Sequence, residues 1–341
     1  MDMEVNNFIF REEDKLFQLW YPDTVNSIFG KKTIIDASNG PIHKYVRSTA
    51  GPIFAATNLK ETFLYEMERI MTESLREWAT KPSIELKEAV TNMMFGLIVK
   101  ALIGFEPKSQ SSKELRKNMD LFMDGFLSFP VYVLGTKFYR SMQARKDVQR
   151  MLKDLLKQRA CAPTNQKRDF LDIVVEELKS GKALEENEAI LKDRGVVDSG
   201  ITWEEYKSMK FTGQVINEIA RLSSNSPGIF RKTLKDVQVK GYTIPAGWLV
   251  MISPVAVHLN PELLKIYSPL IHGDGRSMMK NFIPFGDGKR HCMGAEFVKL
   301  QFAVFLHTLV TKYRWRDMKG GEISHVSEIV FMQDYHIQLL R

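Results

Sequence analysis

The sequence predicts a mainly α-helical protein with a minor β part, and three observations carry that prediction. Apolar residues recur at helical spacing through the first half of the 341 residues. The period shortens to alternation only near residues 235–250 and again at the C-terminal end. A hydrophobic fraction of 44% beside 26% charged residues suits a packed core and excludes a disordered or fibrous chain. Length alone would accommodate two or three domains. With no internal repeat and no low-complexity tract, a single domain over residues 1–341 is expected.

In chain order, Asn39-Gly40-Pro41 starts a helix, with polar caps followed by Pro at the first helical position. Residues 59–79 and 83–103 are helical by spacing, with breaks at Lys81-Pro82 and Gly104. Residues 139–160 form a long amphipathic helix that ends before Pro163. A polar linker over 162–167 leads to a short helix over 169–178, and residues 180–200 read as a charged loop. Another helix runs from Trp203 or Lys207 to Leu222. The stretch KDVQVKGYTIPAGWLVM, with Gly241 and Pro245-Ala246-Gly247, reads as a small β-meander. Residues 294–312 are helical and strongly apolar. Val330-Phe331 and residues 336–340 suggest a closing hairpin.

The net charge of +7 raises nucleic acid or an anionic membrane face as partners. Stretches such as RKNMDLFMDG and QARKDVQRMLKDLLKQR mix both signs, as a solvated helix face does, and nucleic acid is not expected. Two cysteines, Cys161 and Cys292, are too few for a disulfide scaffold and suit a reducing compartment. The N-terminal residues lack the apolar stretch of a signal peptide. No apolar run approaches the roughly 20 residues of a membrane span. The longest candidate, residues 247–259, is interrupted by Ser253, Pro254 and His258.

Several catalytic signatures are absent. Gly288-Lys289 lacks the flanking residues of a phosphate-binding loop. The seven histidines form no zinc spacing, and there is no Gly-x-Ser-x-Gly elbow. One segment stands apart: Phe285, Gly288, Arg290, Cys292 and Gly294, leading directly into an apolar helix. A buried cysteine there sits where backbone N–H groups and the helix macrodipole favour negative charge. Gly288 permits a tight bulge, and Gly294 lets the first helical turn approach a flat ligand. Arg290 can reach an anionic group on that ligand, while Phe285 covers the sulfur. The pattern suits a metal macrocycle with propionates, held by one axial thiolate.

These residues resemble the cysteine loop of the cytochrome P-450 superfamily, Phe-x-x-Gly-x-Arg-x-Cys-x-Gly, at every fixed position. By chance such a match arises in roughly one chain in ten thousand. Glu218-Ile-Ala-Arg221 resembles the family's Glu-x-x-Arg pair, a buried structural pair beneath the cofactor. The resemblance covers nearly the whole chain, and GPIHKYVRS, TWEEYKSM, GYTIPAGW and VKLQFAVFLHTLVTKYRW are similar to the plant branch that oxidises sterols, brassinosteroids and triterpenoids, thalianol-hydroxylase-like enzymes among them. It implies a P-450-like fold and haem b (iron protoporphyrin IX) with Cys292 as axial iron ligand. It further implies His43, Arg47 and Arg231 as propionate ligands beside Arg290. The implied activity is hydroxylation of a hydrophobic small molecule by dioxygen, with electrons from an NADPH-cytochrome reductase. A monomer at the endoplasmic reticulum membrane is implied, although the chain as written has no anchor, which leaves a membrane surface or the cytoplasm.

Three departures from the family pattern stand out. The N-terminal anchor and first β-region are not matched. The long central helix over the distal face of the haem, with its acid-Thr pair, has no counterpart. Between Leu178 and Trp203 there is only SGKALEENEAILKDRGVVDSG, so no catalytic residue is assigned, and Asp198 and Thr202 do not substitute. Finally, residues 261–282 lack the Pro-x-Arg-Trp-type motif, for which Arg276 is a weak stand-in. A second expectation therefore stands beside the first, a truncated relative that binds haem without hydroxylating.

Overall fold

A computed structural model describes residues 3–30, 41–126, 128–161, 201–222, 228–260, 282–320, 323–325, 329–331 and 334–340. The expectations for the linker, helix and loop over 162–200, and for Arg276, lie outside the described residues. Helices dominate, in agreement with the predicted class. From the N-terminus they are α1 (Met3–Arg11), α2 (Asp23–Phe29), α3 (Pro41–Ala50), α4 (Leu64–Trp78), α5 (Leu86–Ile103), α6 (Gln110–Met123) and α7 (Lys137–Cys161). Downstream follow α8 (Trp203–Ser208), α9 (Lys210–Leu222), α10 (Pro254–His258) and α11 (Ala295–Lys312).

Local chemistry explains where these boundaries differ from the expected ones. Glu85 caps α5, its carboxylate accepting from the backbone N–H of Lys87 at 3.0 Å and of Glu88. The helix therefore begins at Leu86, and Ile84–Glu85 is a short strand, β2. Gly104 ends α5 at φ +71°, a left-handed position that suits glycine. The single helix expected up to Leu222 is two helices. A reciprocal capping box between Thr202 and Glu205 starts α8, and Met209, with ψ +61°, separates it from α9.

The strands are short and antiparallel. Strands β1 (Phe17–Leu19), β3 (Ile229–Thr233) and β6 (Leu249–Ile252) form one sheet with β3 central. Strand β4 (Val237–Val239) pairs with β5 (Tyr242–Ile244). The expected meander is thus a hairpin followed by a departing strand. Lys240 at φ +49° and Gly241 at φ +84° make the tight two-residue turn. Gly247, at φ +83°, then redirects the chain so that β6 joins β3 instead of β5. The closing hairpin is corrected likewise. Strand β8 (Ile323–His325) pairs with β9 (Ile329–Phe331), whereas β10 (His336–Leu340) pairs with β2 and with β7 (Arg314–Lys319). Alternate residues Ile337 and Leu339 of β10 are buried in the core, which draws that strand to the centre of its sheet.

Helix α11 lies within the largest core cluster. Phe297, Leu300, Val304 and Phe305 recur at helical spacing and pack against residues of α4, α5 and β10. Each such buried side chain contributes about 1.5–3 kcal/mol. Phe54 and Phe63 meet Phe297 edge-on, with centroids 5.7 and 5.3 Å away. A second cluster joins α1 to the β1–β3–β6 sheet through Ile9, Phe10, Phe17 and Ile252, and extends to Ile283. The segment from 282 to 294 is therefore strung between two filled cores.

Candidate functional site

The cysteine loop is closed by its own backbone. Gly286 N–H donates to Ile283 O at 3.1 Å, His291 N–H to Gly288 O at 3.2 Å, and Cys292 N–H to Phe285 O at 2.9 Å. Gly288 has φ +66°, and a Cβ there would lie 3.1 Å from the Phe10 carbonyl oxygen. The loop rests on the end of α1 because residue 288 carries no side chain. Cys292 stands just before α11, whose N-cap, Gly294, offers no capping side chain. The positive end of the helix thus lies beside the sulfur. A Cβ at Gly294 would meet only Cys292 Sγ within 4 Å, at 3.9 Å. Cys292 is exposed, which corrects the expected buried cysteine. Phe285 is half-buried and holds the cysteine through its carbonyl. The loop is anchored by buried Ile283 and Ala295 at its two ends, with Cys292 between them.

Around this loop gather the basic residues. Arg47, on α3, donates from Nη1 to His291 O at 2.9 Å. Arg231 sits in the central strand of its sheet, opposite Leu19 and Val250, and is 1% exposed. Its Nη2 lies 3.0 Å from Glu13 Oε1, and Arg290 Nε lies 2.9 Å from the same oxygen. Lys289 Nζ reaches Asp14 Oδ2 at 2.9 Å. His43 shares this field. Burial first, then the Arg290 and Arg47 charges, hold its imidazole below the ordinary value, and Asp14 opposes them. Tyr21 is pushed up by burial, against the pull of Arg231 and Arg290. Glu13, Asp14 and Tyr21 were not singled out in the sequence. Glu13 and Asp14 stand in the run REED, which reads as surface charge, and nothing in it marks the residue that turns inward.

Glu218 and Arg221 pair bidentately, with Arg221 Nη2 at 2.6 Å and Nε at 2.8 Å from the two carboxylate oxygens. Arg221 is buried, and Nη1 donates to the carbonyl of His258. The ring of His258, fully buried, accepts from Ile283 N–H through Nε2 at 3.1 Å. The pair on α9 is thereby tied, through α10, to the start of the cysteine loop. His258 is a further structural residue that the sequence disclosed only as a polar interruption.

The donor set fits an iron porphyrin. A single cysteine sulfur just before a helix N-terminus is the donor that an iron porphyrin can take from a protein. Arg231 Nε is buried without a hydrogen-bond partner. Arg231, Lys289 and Arg290 meet the carboxylates of Glu13 and Asp14, with Arg47 on the nearby His291 carbonyl, a basic cluster that suits a dicarboxylate ligand.

A family model described as Cytochrome P450 matches residues 4–191 and 181–341. The chain belongs to the cytochrome P450 family. Among its relatives, cytochrome P450 87A3 of Oryza sativa subsp. japonica is 39% identical over 389 residues, covering 99% of this chain and 75% of the rice protein. Cucurbitadienol 11-hydroxylase of Siraitia grosvenorii is 36% identical, covering 99% of this chain and 81% of that protein. Beta-amyrin 16-alpha-hydroxylase CYP87D16 of Maesa lanceolata is 33% identical, covering 100% and 82%. The solved structure of retinoic acid-bound cyanobacterial CYP120A1 superimposes with a TM-score of 0.79 at 21% identity, covering 99% of this chain and 87% of that one. The P450 fold is shared, and the haem-thiolate cofactor belongs to the family. Among the described residues no helix is long and apolar enough to cross a membrane.

Proposed function

We propose that this P450 binds haem b and belongs to the branch that hydroxylates sterol, brassinosteroid or triterpenoid-type substrates. One observation carries the reading: an exposed cysteine at the bare N-terminus of α11, with a buried arginine cluster beside it. Cys292 would ligate the haem iron, with the first turn of α11 beside its sulfur. Arg47, Arg231, Arg290 and His43 hold the propionates, while Gly288 and Gly294 shape the loop. Glu218 and Arg221 act structurally, holding the loop through His258. Bound haem supplies the dioxygen chemistry, with electrons from a reductase. The relatives named for hydroxylating cucurbitadienol and beta-amyrin support the substrate class. Contact with a membrane surface is supported by the exposed apolar residues Phe129, Val131, Tyr132, Val133 and Leu134.

The test is spectroscopic. Reduced, carbon-monoxide-treated protein shows thiolate-type absorption; Cys292→Ser abolishes it and Cys161→Ser leaves it intact. Loss of the signal in the Cys161 variant instead removes Cys292 from the role.

A second reading is favoured by the form of the family match, which comes in two segments meeting within residues 181–191. The alignment with the rice relative spans 389 positions against 341 residues here, leaving at least 48 (389 minus 341) of its positions without a counterpart. In this reading the chain binds haem and does not hydroxylate. Thr202 serves as a helix cap, its hydroxyl accepting from Glu205 N–H at 3.2 Å.

A further inference from the structure

We propose that Glu13 is a positioning residue that sets Arg231 and Arg290 side by side to receive the carboxylates of the bound ligand, an inference that rests on the haem reading above. The side chain of Glu13 is 0% exposed, and those of Arg231 and Arg290 are 1% and 11% exposed. Both guanidinium groups contact the same oxygen, Oε1, so they lie within about 6 Å of each other. Two buried cations at that separation repel unless an anion stands between them. Glu13 is the anion that both arginines contact, and Asp14 Oδ1 lies farther off, 3.8 Å from Arg290 Nη2.

The geometry is not that of a simple neutralising pair. A carboxylate that only paired with Arg231 would take it fork to fork, through two parallel hydrogen bonds. Here Arg231 gives Glu13 Nη2 alone, and Arg231 Nε and Glu13 Oε2 are both buried without a partner. One oxygen is shared between two arginines, and the Nε edge of Arg231 is kept for another acceptor. One carboxylate oxygen thus contacts two guanidinium groups. Glu13 therefore arranges the two arginines and leaves Arg231 Nε without a partner.

The backbone explains how Glu13 comes to face inward. Asp14 has φ +70°, a left-handed conformation rare for a residue with a Cβ. Its N–H donates to Phe17 O at 2.7 Å, closing a tight turn between α1 and β1. Lys289 then binds the turn to the cysteine loop, through Asp14 Oδ2 at 2.9 Å and the Glu13 carbonyl at 3.4 Å. Beneath the pair, the ring of Phe10 lies 5.8 Å from the Arg231 guanidinium. Turn, arginines and cysteine loop form one connected unit.

The experiment compares two probes on the haem-free full chain by absorbance titration: haem, and haem dimethyl ester, whose propionates carry no charge. Wild type should prefer haem. Glu13→Gln keeps the size and an acceptor but removes the charge, and it should shrink that preference about tenfold, with little change in affinity for the ester. Glu13→Asp keeps the charge at shorter reach and should restore part of the preference; it carries the test if the Gln variant does not fold. An unchanged preference, or equal losses for haem and ester, overturns the role of Glu13 alone. Equal affinity of wild type for both probes overturns it together with the cofactor reading.

Discussion

A histidine with no exposed surface must stay uncharged or find an anion. His258 stays uncharged: burial, then the Arg221 charge, push its imidazole down to about 4, with Glu218 opposing. The sign of the resulting pH dependence follows. Below the ordinary value of 6.5 the unfolded chain takes up a proton that the folded chain refuses until about pH 4, so stability falls as the pH falls through that window. Going from about pH 7 to about pH 5 should lower the unfolding free energy by on the order of 2 kcal/mol, measured by urea denaturation. His258→Gln, which keeps an acceptor for Ile283 N–H but does not titrate, should flatten most of that slope, leaving the smaller contribution of His43. A wild-type slope in the variant would remove His258 as its source. At this scale Cys292, Arg290 and Arg231 were legible because they belong to a spaced motif or follow one. Glu13 and His258 were not, because their importance comes from burial, which only the packing of α1 and α10 against the loop creates.

At the scale of elements, α9, α10 and the cysteine loop form a chain in which each link depends on the one before. Removing the carboxylate of Glu218 would take away the bidentate contact to Arg221, whose side chain is only 6% exposed. Glu218→Ala should therefore cost about 3 kcal/mol of stability, read by urea denaturation, and lower the yield of haem-loaded protein. A loss below about 0.5 kcal/mol would place the pair among ordinary surface ion pairs, which contribute little. The helices were legible to within a few residues wherever periodicity or a cap marked them, as for α11, expected from 294 and observed from Ala295. Strand partners were not. Whether β6 follows β5 or crosses to β3 depends on one positive φ at Gly247 and on apolar faces distant in sequence. Local alternation registers a strand but carries no record of its neighbour.

For the whole molecule, the question is whether a P450 that matches its family in two segments keeps both walls of the haem pocket. Among the described residues the cysteine loop, α11 and the Glu218–Arg221 pair are joined by hydrogen bonds. The two segments of the family match meet within residues 181–191. A helix of roughly 30 residues spans about 45 Å, one whole side of a haem pocket, and the rice relative carries at least 48 positions without a counterpart here. A P450 without such a wall would admit water beside bound haem and would lack a positioned proton donor there. We therefore expect haem-loaded protein, supplied with a plant reductase and sterol or triterpene substrates, to consume reductant with little hydroxylated product and with release of hydrogen peroxide. Measuring reductant, peroxide and product together checks this. Coupled hydroxylation at an ordinary enzymatic rate, of order 1 per second or more, would show that another part of the chain supplies the distal wall.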